Sequence, residues 1–137
     1  MKRIMMILWI ILSVLAVVAI AARVAPSDAE RWHIATQATA DKDFKSGAIR
    51  VVNTGADGLA RLHEIALKTP RTSVLAGSVD SGMVTYITRS AVFGFPDYTT
   101  AQQDGDTLTL FARLRFGRSD TGVNRKRLEQ WIAGLHL

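Results

Sequence analysis

Nineteen residues near the start of the chain, Ile4 to Ala22 (IMMILWIILSVLAVVAIAA), contain a single polar side chain, Ser13. As a helix rising about 1.5 Å per residue they reach about 28 Å, close to the hydrocarbon thickness of a bilayer. A stretch this apolar on all sides, at the very start of the chain, argues against a buried core helix. The expectation is one transmembrane signal-anchor over residues 1–23. Lys2, Arg3 and the amino terminus outweigh Arg23. Basic residues stay on the cytoplasmic side, so the remainder of the chain is expected in the periplasm of a bacterium, held at the inner membrane. Ala19 and Ala21 also make the small-x-small pattern that a signal peptidase reads, so the alternative is cleavage near Ala21 and release into the periplasm. Signal-peptide apolar regions run roughly 7–15 residues, and the greater length here favours the anchor.

The rest of the 137-residue chain suffices for one small domain. With no cysteine, disulfides and thiolate metal sites are excluded, and packing alone must hold the fold. Of the formal charge of +5, Lys2, Arg3 and Arg23 flank the apolar run, leaving 14 basic against 12 acidic residues. That balance is no nucleic-acid footprint, although Arg89 to Arg127 is locally basic.

Residues 24–47 lack a sustained hydrophobic period and read as a tether. Trp32 stands out in it, either at the membrane interface or docked onto the domain, and the spacing in RWHIA favours docking. AIRVV (48–52) reads as a strand. Leu59, Leu62, Ile65 and Ala66 then follow at helical spacing, with Pro70 as the stop. TSVLAGSV, MVTYITRSAVF and TLTLFARLRFG read as three strands of an antiparallel meander, and Leu128, Trp131, Ile132 and Leu135 make the stripe of a final helix. The expected fold of residues 48–137 is therefore α+β, in the order β-α-β-β-β-α, an antiparallel sheet with helices packed on one face.

TYITRSAVFGFPDY followed by LFARLRFGRSDTGVNRKRLEQWIAGL resembles the family called domain of unknown function 1499. The pairing of F-G-F-P-D with R-x-G-x-S-D-x-G-x-N-R-x-R carries the resemblance, which runs from about residue 30, and RWH (31–33) and PRT (70–72) also look like family positions. Ile34-Ala35 departs from the Asp-Pro that often follows the family's tryptophan-histidine segment. The resemblance implies a small membrane-associated or exported domain and no established activity.

Two stretches concentrate the candidate residues. In SAVFGFPDY, Gly94 and Pro96 interrupt a ladder, so a kinked strand folding over the sheet edge is expected. Phe93 and Phe95 either anchor that bend or form the apolar lip of a cleft with Asp97 at its rim. In GRSDTGVNRKR, Arg118, Asp120, Asn124 and Arg125 stand at a helix start, where free N–H groups and the dipole favour an anion unless the Asp120 carboxylate already takes that place. Arg89, Arg113 and Arg115 lie on strands, with Arg113 and Arg115 on one face that is either solvated or met by something acidic.

No catalytic constellation is complete. Asp120-Thr121-Gly122 lacks the apolar lead-in and second copy of an aspartic-protease dyad. His63-Glu64 finds Leu67 where a zinc-binding helix needs its second histidine. Gly77-Ser78 lacks the context of a nucleophile elbow. No catalytic residue, metal ligand or cofactor is assigned. The expectation is a membrane-anchored periplasmic binding or interaction module contacting a lipid, an anionic or hydrophobic small molecule, or a membrane-protein partner. An enzyme using Asp97 or Asp120 with arginine support, and an accessory subunit of a membrane complex, stay open as alternatives.

Overall fold

A computed structural model describes all 137 residues. The apolar run forms α1 (Lys2–Val24), and none of its most apolar window is buried against the protein. A single turn, α2 (Ala29–Trp32), is capped by the Asp28 side chain, which accepts from the Glu30 N–H at 2.9 Å. The strands are β1 (Lys42–Phe44), β2 (Gly47–Asn53), β3 (Thr72–Ser78), β4 (Met83–Arg89), β5 (Pro96–Asp104) and β6 (Thr107–Leu114). The remaining helices are α3 (Gly58–Lys68) and α4 (Val123–Gly134). One antiparallel six-stranded sheet results, in the order β1-β2-β6-β5-β4-β3. The α+β class, the antiparallel sheet and the leading apolar helix all agree with the sequence.

Alternation along the strands decides what each face buries. Ala48, Val84, Tyr86, Ala101, Leu108, Leu110 and Ala112 point to one side and meet Leu59, Leu62 and Ala66 of α3 and Leu128, Trp131 and Leu135 at α4. Tyr86 receives the edge of Trp131 at a ring-centroid distance of 5.6 Å and pairs its hydroxyl with His63 Nδ1 at 2.8 Å. Burial pushes the Tyr86 phenol well above its ordinary range.

Two strands are absent from the sequence reading. β5 carries Thr99, Thr100, Gln102 and Gln103 where an apolar run would announce an interior strand. The short β1 pairs with β2 inside the stretch read as a tether. That stretch is also the cover of the second sheet face. Trp32 stacks on Tyr98 with ring centroids 4.1 Å apart, and His33 Nδ1 lies 2.8 Å from Thr85 Oγ1. The Gln102 side chain accepts from the Thr36 N–H at 2.9 Å and donates to the Thr36 carbonyl at 2.8 Å. A composition without periodicity thus forms a strap, because its backbone polar groups meet polar side chains displayed by the sheet.

Ser90–Phe95 corrects the expected edge kink. It connects β4 to β5, two interior strands, at the end of the sheet, and Pro96 opens β5 opposite Arg89. A strand's first residue needs no ladder donor there, so proline is tolerated.

Candidate functional site

The β4–β5 connection closes on itself. Ser90 N–H donates to Phe95 O at 3.0 Å, Phe95 N–H to Ser90 Oγ at 3.0 Å, and Gly94 N–H to Ser90 O at 3.1 Å. The carbonyls of Val92 and Phe93 face the end of α1. Arg23 donates to Phe93 O at 2.8 Å and to Val92 O at 2.7 Å. From the sheet side, Arg89 donates to Gly94 O at 3.0 Å and to Ala22 O at 3.2 Å. Arg23 of the helix and Arg89 of β4 therefore clasp the connection between them, and Arg89 also places a cation at the negative end of the α1 dipole. Ala22 is left 3% exposed. Gly94 sits at φ 73°, and a Cβ there would come within 2.9 Å of the Arg23 side chain. Glycine is required twice over, by the backbone and by the arginine lying against it.

Phe93 and Phe95 stack with centroids 5.5 Å apart, and Phe95 meets Phe116 at 6.1 Å. Phe95 and Phe116 form one wall of an open cleft of about 320 Å³ whose other wall is Val18, Ala21, Ala22 and Ala25, so every lining residue is apolar. Phe116 remains 45% exposed and Val92 74% exposed, which puts a hydrophobic rim around the emerging helix.

Arg113 and Arg115 do share a face, and the strap meets them. Arg113 is buried, donating to Thr100 Oγ1 at 2.8 Å, to Phe111 O at 3.0 Å and to the carbonyl of Trp32. No carboxylate pairs with it, and burial brings its pKa down to about 10. Arg115 donates to Pro26 O at 2.8 Å and to the Tyr98 hydroxyl at 3.1 Å. The expected acidic or aqueous neighbour of this face is replaced by main-chain carbonyls.

Asp97, Asp120 and Asn124 belong to one network. Asp120 accepts from the N–H groups of Gly122 at 2.9 Å and Asn124 at 3.1 Å, and from Asn124 Nδ2 at 2.8 Å. Its carboxylate thus occupies the start of α4 that a free anion would need. Asn124 Oδ1 accepts from Arg127 at 2.5 Å, and Arg127 reaches Asp97 at 3.5 Å. Burial raises the Asp97 pKa above its ordinary value, with Arg127 pulling the other way, and burial lowers that of Arg127. Both carboxylates weighed as an acid or base are engaged, Asp97 in holding α4 to β5 through Arg127 and Asp120 in capping α4. Arg118 is exposed, and Arg125 is exposed with Asp43 at 4.0 Å.

The ten candidates therefore divide among the helix seat (Arg89, Phe93, Phe95), the strapped face (Arg113, Arg115), the α4 network (Asp97, Asp120, Asn124) and open surface (Arg118, Arg125). Arg23, Tyr98 and Arg127 were not singled out as site residues. Arg127 ends the quoted R-x-R and Arg23 ends the apolar run, so both were visible as landmarks. Only the fold shows what they hold.

No curated protein and no solved structure matches the chain. A family model described as "Protein of unknown function (DUF1499)" matches residues 21–135. The match starts at Ala21, so it includes Arg23, the strap and the seat as well as the sheet and helices. The chain belongs to the DUF1499 family, as the paired motifs around Phe93–Asp97 and Arg115–Arg127 led one to expect.

Proposed function

We propose that the protein is a membrane-anchored binding module on the periplasmic side of a bacterial inner membrane, with α1 as an uncleaved span and the cleft at its outer end as the binding site for an apolar group of a membrane component. One observation carries this reading: the domain is fastened to the end of the span by Arg23 and Arg89, and an entirely apolar cleft opens at that junction. A tethered domain would need no such seat. Where a span leaves the hydrocarbon, an apolar hollow fills from the bilayer at less cost than from water. Val92 and Phe116 support the same placement, since exposed apolar side chains beside a span are stabilised at the interface.

The test is native mass spectrometry of the full chain gently released from membranes, with Phe116→Glu as the variant. The expected result is an intact amino terminus and a retained hydrophobic molecule that the variant loses. A chain beginning near Ala22, or one that retains nothing, overturns the reading. A reporter fused to the carboxyl terminus and active only in the cytosol removes the topology.

A further inference from the structure

Beside the seat lies a concavity of about 700 Å³ whose lining includes Arg23, Lys68, Arg71 and Arg89 and no acidic residue. An adjoining hollow of about 470 Å³ shares Arg71 and Arg89 and adds Lys126 and Arg127. Arg127 is committed to Asp97, but Arg23, Lys68, Arg71, Arg89 and Lys126 take part in none of the chain's ion pairs.

The turn that supplies Arg71 is built for it. Thr69 is extended (ψ 130°) ahead of Pro70, as proline demands of the residue before it. Arg71 then takes φ 57°, a left-handed conformation rare for a residue with a side chain. The turn is locked to β4 in both directions, since Arg89 N–H donates to Arg71 O at 3.0 Å and Arg71 Nε donates to Arg89 O at 3.0 Å. The two terminal nitrogens of Arg71 have no protein partner, and hydroxyls of Ser73 and Ser90 line the same hollow.

Four cations held together without counter-ions repel one another, and a hollow lined by one sign of charge concentrates anions of the other. A guanidinium fork with free terminal nitrogens, a lysine and nearby hydroxyls matches the oxygens of a phosphate. We propose that this groove binds a phosphate group, carried either by a phospholipid headgroup or by a soluble phosphate compound, with Lys68 and Arg71 as the recruiting side chains and Arg23 and Arg89 as the fixed floor. The PRT segment (70–72), one of the stretches that looked like a family position, gains a role in this way. The proposal depends on the anchored reading only for the lipid source, because a soluble phosphate reaches the groove in any topology.

The experiment uses the full chain in two preparations. In phosphatidylcholine nanodiscs it is titrated with inorganic pyrophosphate. In nanodiscs that also contain phosphatidylglycerol, native mass spectrometry reads the retained anionic lipid. Lys68→Gln/Arg71→Gln is expected to weaken at least one of the two probes by about tenfold, the scale of one lost charge-assisted contact. Arg118→Gln/Arg125→Gln removes the same charge elsewhere and is expected to leave both unchanged. Loss with pyrophosphate alone assigns the soluble source, and loss with phosphatidylglycerol alone assigns the headgroup. Equal weakening by both double variants, or no binding of either probe by the wild type, overturns the proposal. Lys68→Gln alone, at an exposed side chain that makes no hydrogen bond, repeats the test without disturbing the Arg71 turn. Phe116→Glu leaves the groove intact, so failure of the cleft and failure of the groove are told apart.

Discussion

Arg23 lies against the bare backbone of Gly94, close enough that a Cβ there would sit 2.9 Å from its side chain. The helix end and the β4–β5 connection are therefore one structural unit.

Gly94→Ala tests that unit. At φ 73° the left-handed conformation costs an L-residue about 1–2 kcal/mol, and the added methyl pushes Arg23 off the Val92 and Phe93 carbonyls. The expected outcome is a loss of about that size in thermal stability with protease sensitivity confined to the α1–strap junction. Uniform destabilisation with the junction still protected would contradict the seat.

Asp97→Asn tests the α4 network through pH. Burial raises the Asp97 pKa above 3.8, so in the window between that value and the folded-state pKa the folded chain holds a proton that the unfolded chain has released. Asp97 therefore makes stability fall as pH rises through the window, and the loss is complete above it. Asparagine mimics the protonated carboxyl at every pH. The expected result is that the stability of Asp97→Asn minus that of wild type increases with pH across the window, read from melting temperatures. A difference that stays flat means that Asp97 is not buried as described.

Trp32→Ala tests the strap. Removing a fully buried tryptophan costs roughly 3–5 kcal/mol, and Trp32 is only half-buried, so a loss of about 2 kcal/mol is expected. The same change uncovers Arg113, and amide exchange at residues 32–38 should quicken well before exchange in β4–β6. Trp32→Phe keeps an aromatic face over Tyr98 and should recover most of the protection. If exchange in the strap is unaltered by Trp32→Ala, stacking is not what holds it.

The helices were legible because Leu59, Leu62 and Ala66, and Leu128, Trp131 and Leu135, repeat with helical spacing and all enter the core. β6 was legible for a related reason, with Leu108, Leu110 and Ala112 alternating toward the helices. β5 was not, because its second face is buried against a polar strap. Thr100 is buried and Gln102 half-buried there by hydrogen bonding rather than by hydrophobicity. Of the strap only Trp32 was marked in the sequence, and it docks on Tyr98 as the RWHIA spacing favoured, whereas the contacts through the carbonyls of Pro26, Trp32 and Thr36 leave no mark in a side-chain pattern. In the candidate site, Phe93, Gly94 and Phe95 declared themselves by composition. Their partner Arg23 looked like an ordinary flanking charge, because nothing local links it to a loop 69 and 70 residues away.

The Arg23 and Arg89 clasp also removes a degree of freedom. With Ala22 enclosed, α1 cannot turn about its own axis without carrying the sheet along, so the leading helix works as a lever arm. Under the anchored reading proposed above, a thinner or thicker bilayer that changes the lean of such a helix would re-aim the whole domain relative to the lipid surface.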